Sequence, residues 1–303
     1  MLQISSAHGD KLRALLSNTK LPLNDRHLIE QAVQKYDIWL TEIISVKGGF
    51  DQKIAMLVEL LNQYKTYIDL EVIFDSQSDF LYRQKGQLKL DNSIMEEFLP
   101  NFITVVLYDE LAELNLTFGP NTCFSSIYFD STLSSSHAGG GLNVREKNQD
   151  FVISRKLYLQ TSHQPDFSDP ITKQTNIAYV VMECKTNLDK TMFQEAAATA
   201  LDLKTSVPSA KYYLLCEWLD MTPISSGTTA IDEVIILRKA KRLASNIRSN
   251  FNTVEGRKNS RHDFEEYLKA HPFSVEMFTR IANHILNLIS LSSEDDVLQK
   301  GHF

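Results

Sequence analysis

Cysteine, glycine, proline and long apolar runs are all scarce in this sequence, and each scarcity removes a class of protein. Three cysteines in 303 residues, Cys123, Cys184 and Cys216, cannot build a disulfide scaffold, so a reducing, cytoplasmic setting is expected. Eleven glycines and eight prolines are too few for collagen-like or linker-dominated architectures. No apolar stretch nears the roughly 20 residues needed to cross a bilayer. Residues 1–10 also lack the basic start and apolar centre of a signal peptide, so no membrane partner is expected. Bases are outnumbered: 31 Lys and Arg against 38 Asp and Glu leave a formal charge of −7. That balance argues mildly against an indiscriminate coat for nucleic acid. What is present, 43% apolar and 23% charged residues, is ordinary for a folded chain of one large domain or two modest ones.

Helical periodicity dominates the first third. Leu28, Ile29, Ala32, Val33, Tyr36, Leu40, Ile43 and Ile44 predict a helix over 26–46 that Asn24 or Asp25 can cap. Gly48 and Gly49 end it, and a second helix is expected over 51–74. Ser93 and Glu96 fit a capping box opening a third helix, with a disturbance expected at Pro100. From about 117 the texture turns to strands: 121–132, 150–161, 177–186, 211–218 and 233–237, with a helix over 191–205 and a helical tail from about 261. The pattern predicts an α+β fold with an α/β-like core, a small mixed sheet flanked by helices. An N-terminal helical region over 1–88, suited to packing, dimerisation or DNA contact, is expected to precede a catalytic domain over 89–303.

An acid, any residue, then Lys occurs three times, and context separates the three. Asp51-Gln52-Lys53 and Asp202-Leu203-Lys204 fall on predicted helices, where positions two apart face different sides. Glu183-Cys184-Lys185 instead ends the apolar run 177–182, and on a strand its acid and base share one face. If strand 150–161 turns back onto 177–186, Asp150 comes to lie beside that pair. Asp166 and Asp169 lie in the connecting loop, farther off. Two carboxylates can hold Mg²⁺, and a Lys beside them can position water and stabilise charge on a phosphate, which is the equipment of phosphodiester hydrolysis. A surface ion pair at a strand end is the plainer alternative. Other hydrolytic designs lack support: the histidines and cysteines have no zinc-like spacing, and no Gly-x-Ser-x-Gly elbow is present.

At these residues the sequence resembles the PD-(D/E)XK nuclease superfamily, and within it type II restriction endonucleases of the heterodimeric BbvCI-like group. The likeness is carried in order by FLYRQKGQLKL at 80–90, SIMEEFLP at 93–100, KNQDFVIS at 147–154 and MECKTNLDKTM at 182–192. The resemblance implies a restriction-endonuclease-like fold and a Mg²⁺-dependent enzyme cutting double-stranded DNA at a short, asymmetric site, one strand per active site. It implies Asp150, Glu183 and Lys185 as catalytic residues, with Asp150 and Glu183 on the metal and Glu97, in preference to Glu96, as a further acid. Gln149 stands where the superfamily motif has Pro. A related second subunit, or a second copy of the chain, is the implied protein partner. A structure-selective repair or recombination nuclease and a non-catalytic DNA-binding module remain as alternatives.

Three basic clusters are candidates for holding the phosphates. Arg83 and Lys85 precede the third helix, Arg145 and Lys147 precede Asp150, and Arg238, Lys239, Lys241 and Arg242 open a run of bases reaching Arg261.

Overall fold

A computed structural model describes residues 6–112, 114–289, 298–299 and 301. Its first part is helical: α1 (Ala7–Leu16), α2 (Leu23–Ser45) and α3 (Phe50–Thr66). Of the predicted stripes, Ile29, Ala32, Tyr36 and Ile43 on α2 are buried against Ile54, Leu57, Val58 and Leu61 on α3, whereas Ile44 is exposed and Trp39, outside the expected stripe, is buried. Asp25 does not cap α2. It is fully buried and accepts hydrogen bonds from the Gln77 backbone N–H, at 2.8 Å, and from the Ser78 hydroxyl, so it ties down a distant turn.

The second predicted helix is composite. After Thr66 the coil widens into π-helical turns over Tyr67–Phe74, which lets Val72, Ile73 and Phe74, three residues in succession, all be buried. Its last carbonyl and two in the turn beyond it go to one buried cation: Arg257 donates to the oxygens of Phe74, Ser76 and Ser78. A short α4 (Phe80–Gln84) leads to α5 (Ser93–Ala112). The expected capping box does not form. Residues 85–92 already coil, with Leu90 N bonding Lys85 O, so α5 has no open N-terminus for Ser93 to cap. Ser93 faces His8 instead, at 2.9 Å, and Glu96 turns to Lys89. Pro100 is accommodated, and the helix departs from regular dihedrals at Leu107.

Five strands follow: β1 (Thr117–Phe129), β2 (Leu142–Thr161), β3 (Ile171–Leu188), β4 (Lys211–Leu219) and β5 (Glu233–Lys241). They lie side by side in sequence order, β1–β2–β3 antiparallel and β3–β4–β5 parallel. Between β3 and β4 runs the crossover helix α6 (Lys190–Ser206), capped by Asp189. After β5 come α7 (Ser245–Arg248), α8 (Val254–Ala270) and α9 (Val275–Ile289).

Both faces of the sheet are covered. Phe151, Ile153, Val180, Met182 and Leu215 pack on the N-terminal helices and α9, in one core with α1 to α3 and α5. Val152, Val181, Leu214 and Cys216 pack on Phe193, Ala196 and Ala200 of α6. Val152 breaks the polar alternation of its strand because its face is buried under α6, a tertiary fact that strand periodicity does not carry. The Gly-rich loop at 139–141 is a packed turn. All three glycines have positive φ, and a side chain on Gly139 would meet the Thr161 carbonyl at 2.8 Å. Among the described residues, no helix is long and apolar enough to cross a membrane.

Candidate active site

The site forms where the sheet forks. Strands β2 and β3 pair antiparallel from Thr161/Ile171 to Phe151/Met182, and β3 then continues beside β4 alone. Asp150 stands one residue past the last pair, where the strands part and Glu183 follows Met182, while Asp166 and Asp169 lie at the far end of the hairpin. One Asp150 oxygen, Oδ2, accepts from the Cys184 backbone N–H at 2.9 Å, so the strand itself orients the carboxylate. Lys185 Nζ lies 2.6 Å from Glu183 Oε1, and the other Glu183 oxygen accepts from the buried Tyr212 hydroxyl of β4.

Electrostatics separate these groups. Burial raises the Asp150 carboxyl above the usual range, the Cys184 N–H opposes that, and the charge of Glu183 adds to it. For Lys185, burial pulls downward, but its hydrogen bond and charge pairing with Glu183 outweigh it and leave the ammonium raised. It is therefore a cation at neutral pH, suited to neutralising charge. Glu195 on α6 is also close enough to act on it. Burial pushes the Cys184 thiol well up, and all three cysteines are unpaired. None has the environment of a nucleophile.

Successive acids on α5 go separate ways. Glu96 lines the cavity of about 410 Å³ that also holds Asp150 and Lys185. Burial raises its carboxyl, Lys89 at 3.3 Å opposes, and Asp150 adds to the rise. Glu97 points the other way and is fully buried, accepting from the backbone N–H groups of His8 (2.7 Å) and Gly9 (3.3 Å) and from the Tyr36 hydroxyl (2.6 Å). The expectation for Glu97 is thus corrected: it anchors the N-terminal helix, and Glu96 is the acid on the site side. One residue along a helix is a turn of about 100°, so the two cannot face the same cavity.

The donors suit a hard divalent cation. Among the described residues no three His, Cys, Asp or Glu side chains stand close enough to cage a metal. Two carboxylates at one site are what a hard divalent cation uses when waters and a substrate phosphate complete its shell. Asp150 and Glu183 supply hard oxygens, and like charges facing each other at a fork are relieved by a cation.

The sequence model of the Bpu10I restriction endonuclease matches residues 87–303. The chain belongs to that family. It is accordingly a type II restriction endonuclease, a site-specific deoxyribonuclease. Among solved structures it is similar to the native BbvCI A2B2 tetramer, with 18% identity, a TM-score of 0.51, and coverage of 87% of this chain and 97% of that one. At that identity the likeness is one of fold, the restriction-endonuclease-like mixed sheet expected from sequence. No curated protein sequence matches the chain.

For this family member the candidate phosphate-binding bases divide. Arg83, Lys85 and Arg242 line the clefts beside the site. Arg145 is exposed on β2, and Lys241 is exposed at the end of β5. Lys147 is turned to Thr199 and Asp202 of α6, and Lys239 is paired with Glu276 of α9. Arg238 is 3% exposed, beside Glu217 and donating to the His271 carbonyl, so its expected place on DNA is corrected to a structural one. Sequence reading also missed Tyr212, whose only local signal is an aromatic on a strand.

Proposed function

We propose that this restriction enzyme hydrolyses double-stranded DNA at a short, asymmetric sequence, cutting one strand per active site with Mg²⁺ as cofactor. The observation that supports the reading is the fork at which Asp150 reaches the Cys184 N–H while Glu183 and Lys185, on either side of Cys184, pair with each other. Asp150 and Glu183 would hold the metal, Glu96 standing nearby in place of Glu97. When bound, the cation lowers the pKa of water and offsets charge on the phosphate. Lys185, kept charged by Glu183, stabilises the charge that develops on the scissile phosphate and orients the attacking water. Tyr212 and the Cys184 N–H fix the two carboxylates. Arg83, Lys85, Arg145, Lys241 and Arg242 supply phosphate contacts.

One such site cuts one strand, so a double-strand break requires two. The fold likeness to BbvCI, an A2B2 tetramer, supports a related second subunit, with a second copy of this chain as the simpler form. Residues 1–88 would then serve packing, dimerisation or DNA contact around a nuclease region over 89–303. Three unpaired thiols suit a reducing compartment such as the cytoplasm.

The test is a plasmid cleavage assay with and without Mg²⁺, alone and with the second subunit, followed by sequencing of the ends. Asp150→Ala and Lys185→Ala are expected to lower the cleavage rate by at least ~10²-fold while leaving DNA binding largely intact. Normal cutting by either variant overturns the assignment.

A further inference from the structure

A buried polar atom without a partner is rare in a native fold and calls for a reason. Among the described residues two side-chain atoms stand so, Asn92 Oδ1 and Arg238 Nη2. The second has company of another kind. The Arg238 guanidinium carbon lies 3.8 Å from the ring centre of Phe273 and 4.9 Å from that of Trp218, and aromatic faces attract a cation. No such contact serves Asn92 Oδ1.

Asn92 stands immediately before α5, where an asparagine commonly accepts from the first turn of a helix. Here the coil over 85–92 runs on into α5, and Asn92 Oδ1 takes no part in a cap. Asn92 lines two cavities at once, the catalytic one and a small one beside it, and so does Lys185. The small cavity has a volume of about 10 Å³, at the lower end of the roughly 10–15 Å³ that one water needs. Leu215 and Leu237 give it apolar walls, and Glu217 beside them is committed to Lys65 at 3.2 Å and Arg238 at 3.4 Å. Lys185 is the cation at hand. An ammonium carries three N–H donors, and Glu183 Oε1 at 2.6 Å accounts for one.

We propose that Asn92 is a positioning residue for Lys185: one water seated in the small cavity donates to Asn92 Oδ1 and accepts from the Lys185 ammonium. Thr186, which also lines both cavities, can complete the partners of that water. This role rests on the DNA-cleaving reading above and adds a residue that acts through Lys185 rather than on the phosphate. A second hold on Lys185 matters because the first is Glu183, a carboxylate that the same reading gives to the metal. Charge shared with a cation holds an ammonium less firmly. A neutral amide oxygen sealed from the solvent is spared that competition, and a water bridge is nearly as good as a direct hydrogen bond. The ammonium therefore stays aimed into the catalytic cavity while Glu183 serves the cation.

The first test is a high-resolution crystal structure of the metal-free wild-type chain. One ordered water is expected within about 3.2 Å of both Asn92 Oδ1 and Lys185 Nζ. A dry cavity, or a water that reaches only one of the two, overturns the proposal. The second test is single-turnover cleavage by the full enzyme in excess over DNA. Asn92→Leu is expected to slow cutting ~10–100-fold, as loss of a hydrogen bond to a charged group does, and to leave DNA affinity unchanged. In a Lys185→Met background the same substitution is expected to change the rate less than ~2-fold, because its effect passes through Lys185. Equal slowing in both backgrounds, or a loss of DNA affinity as large as the loss of rate, overturns the proposal. The crystal structure decides even if a variant fails to fold or cuts too slowly to follow. A wild-type enzyme that leaves the plasmid intact sinks the nuclease reading instead, so the two failures are distinguishable.

Discussion

At the scale of single residues, the site is an arrangement of opposed charges in partial burial. Asp150 and Glu96 have raised carboxyls because burial disfavours ionisation, with the charge of Glu183 adding to the rise at Asp150 and that of Asp150 to the rise at Glu96. A carboxyl raised in the fold contributes most stability below its unfolded value and loses that contribution as pH rises through the folded value. At neutral pH the ionised carboxyls therefore repel one another, and a divalent cation bound between them would relieve that repulsion. Mg²⁺ or Ca²⁺ is expected to raise Tm at pH 7.5 and to do so less at pH 5, where the carboxyls begin to protonate. Asp150→Asn is expected to raise Tm without metal and to abolish most of the response. Thermal unfolding at the two pH values measures both, and an equal response in the variant would count against Asp150 as a ligand.

At the scale of elements, α5 and the β2–β3 hairpin decide which side chains meet. Helix α5 carries adjacent acids with opposite duties, and substitution separates them. Glu97→Ala strands three buried donors, on His8, Gly9 and Tyr36, and is expected to cost about 3–5 kcal/mol in denaturant unfolding. Glu96→Ala is expected to leave stability within about 1 kcal/mol and to slow metal-dependent cleavage. The reverse outcome would restore Glu97 to the site. His8 belongs to the same anchor: burial, helped by Lys65, lowers its imidazole to about 3, so it stays neutral there. The hairpin was legible in outline because the Asp150 strand and the Glu183 strand each announce themselves by β-rich texture. Which acid of α5 faces the fork was not, since a capping box read from Ser93 and Glu96 ignores that residues 85–92 already coil.

At the scale of the whole molecule, charge is distributed against expectation. The run from Arg238 to Arg261 reads as a basic face, yet Arg238 and Arg257 are buried structural cations and Lys239 and Arg261 are paired with acids. The bases that line the clefts are Arg83, Lys85, Arg242 and Arg248, with Arg83 beside Asp79 and Arg242 and Arg248 sharing Asp220, in a chain whose formal charge is −7. Affinity for DNA should then depend on few local contacts. Lys85→Ala and Arg242→Ala are each expected to reduce the salt slope of binding by about 1, and Lys239→Ala to leave it unchanged. Filter binding or anisotropy across a salt series checks this, and a changed slope for Lys239→Ala would relocate the DNA path.

The sequence alone determined what is local: the helical stripes of α2 and α3, the strands of the sheet, and an acid and a lysine forced onto one face by the two-residue period of a strand. It also carried the four segments on which the family resemblance rests. Tertiary structure decided everything that depends on what lies opposite. Val152 is buried because α6 covers it, Glu97 is an anchor because α1 brings two N–H groups to it, and Arg238 is sealed against Glu217. Periodicity states which residues share a face. Only packing states whether that face meets water, a helix or a substrate.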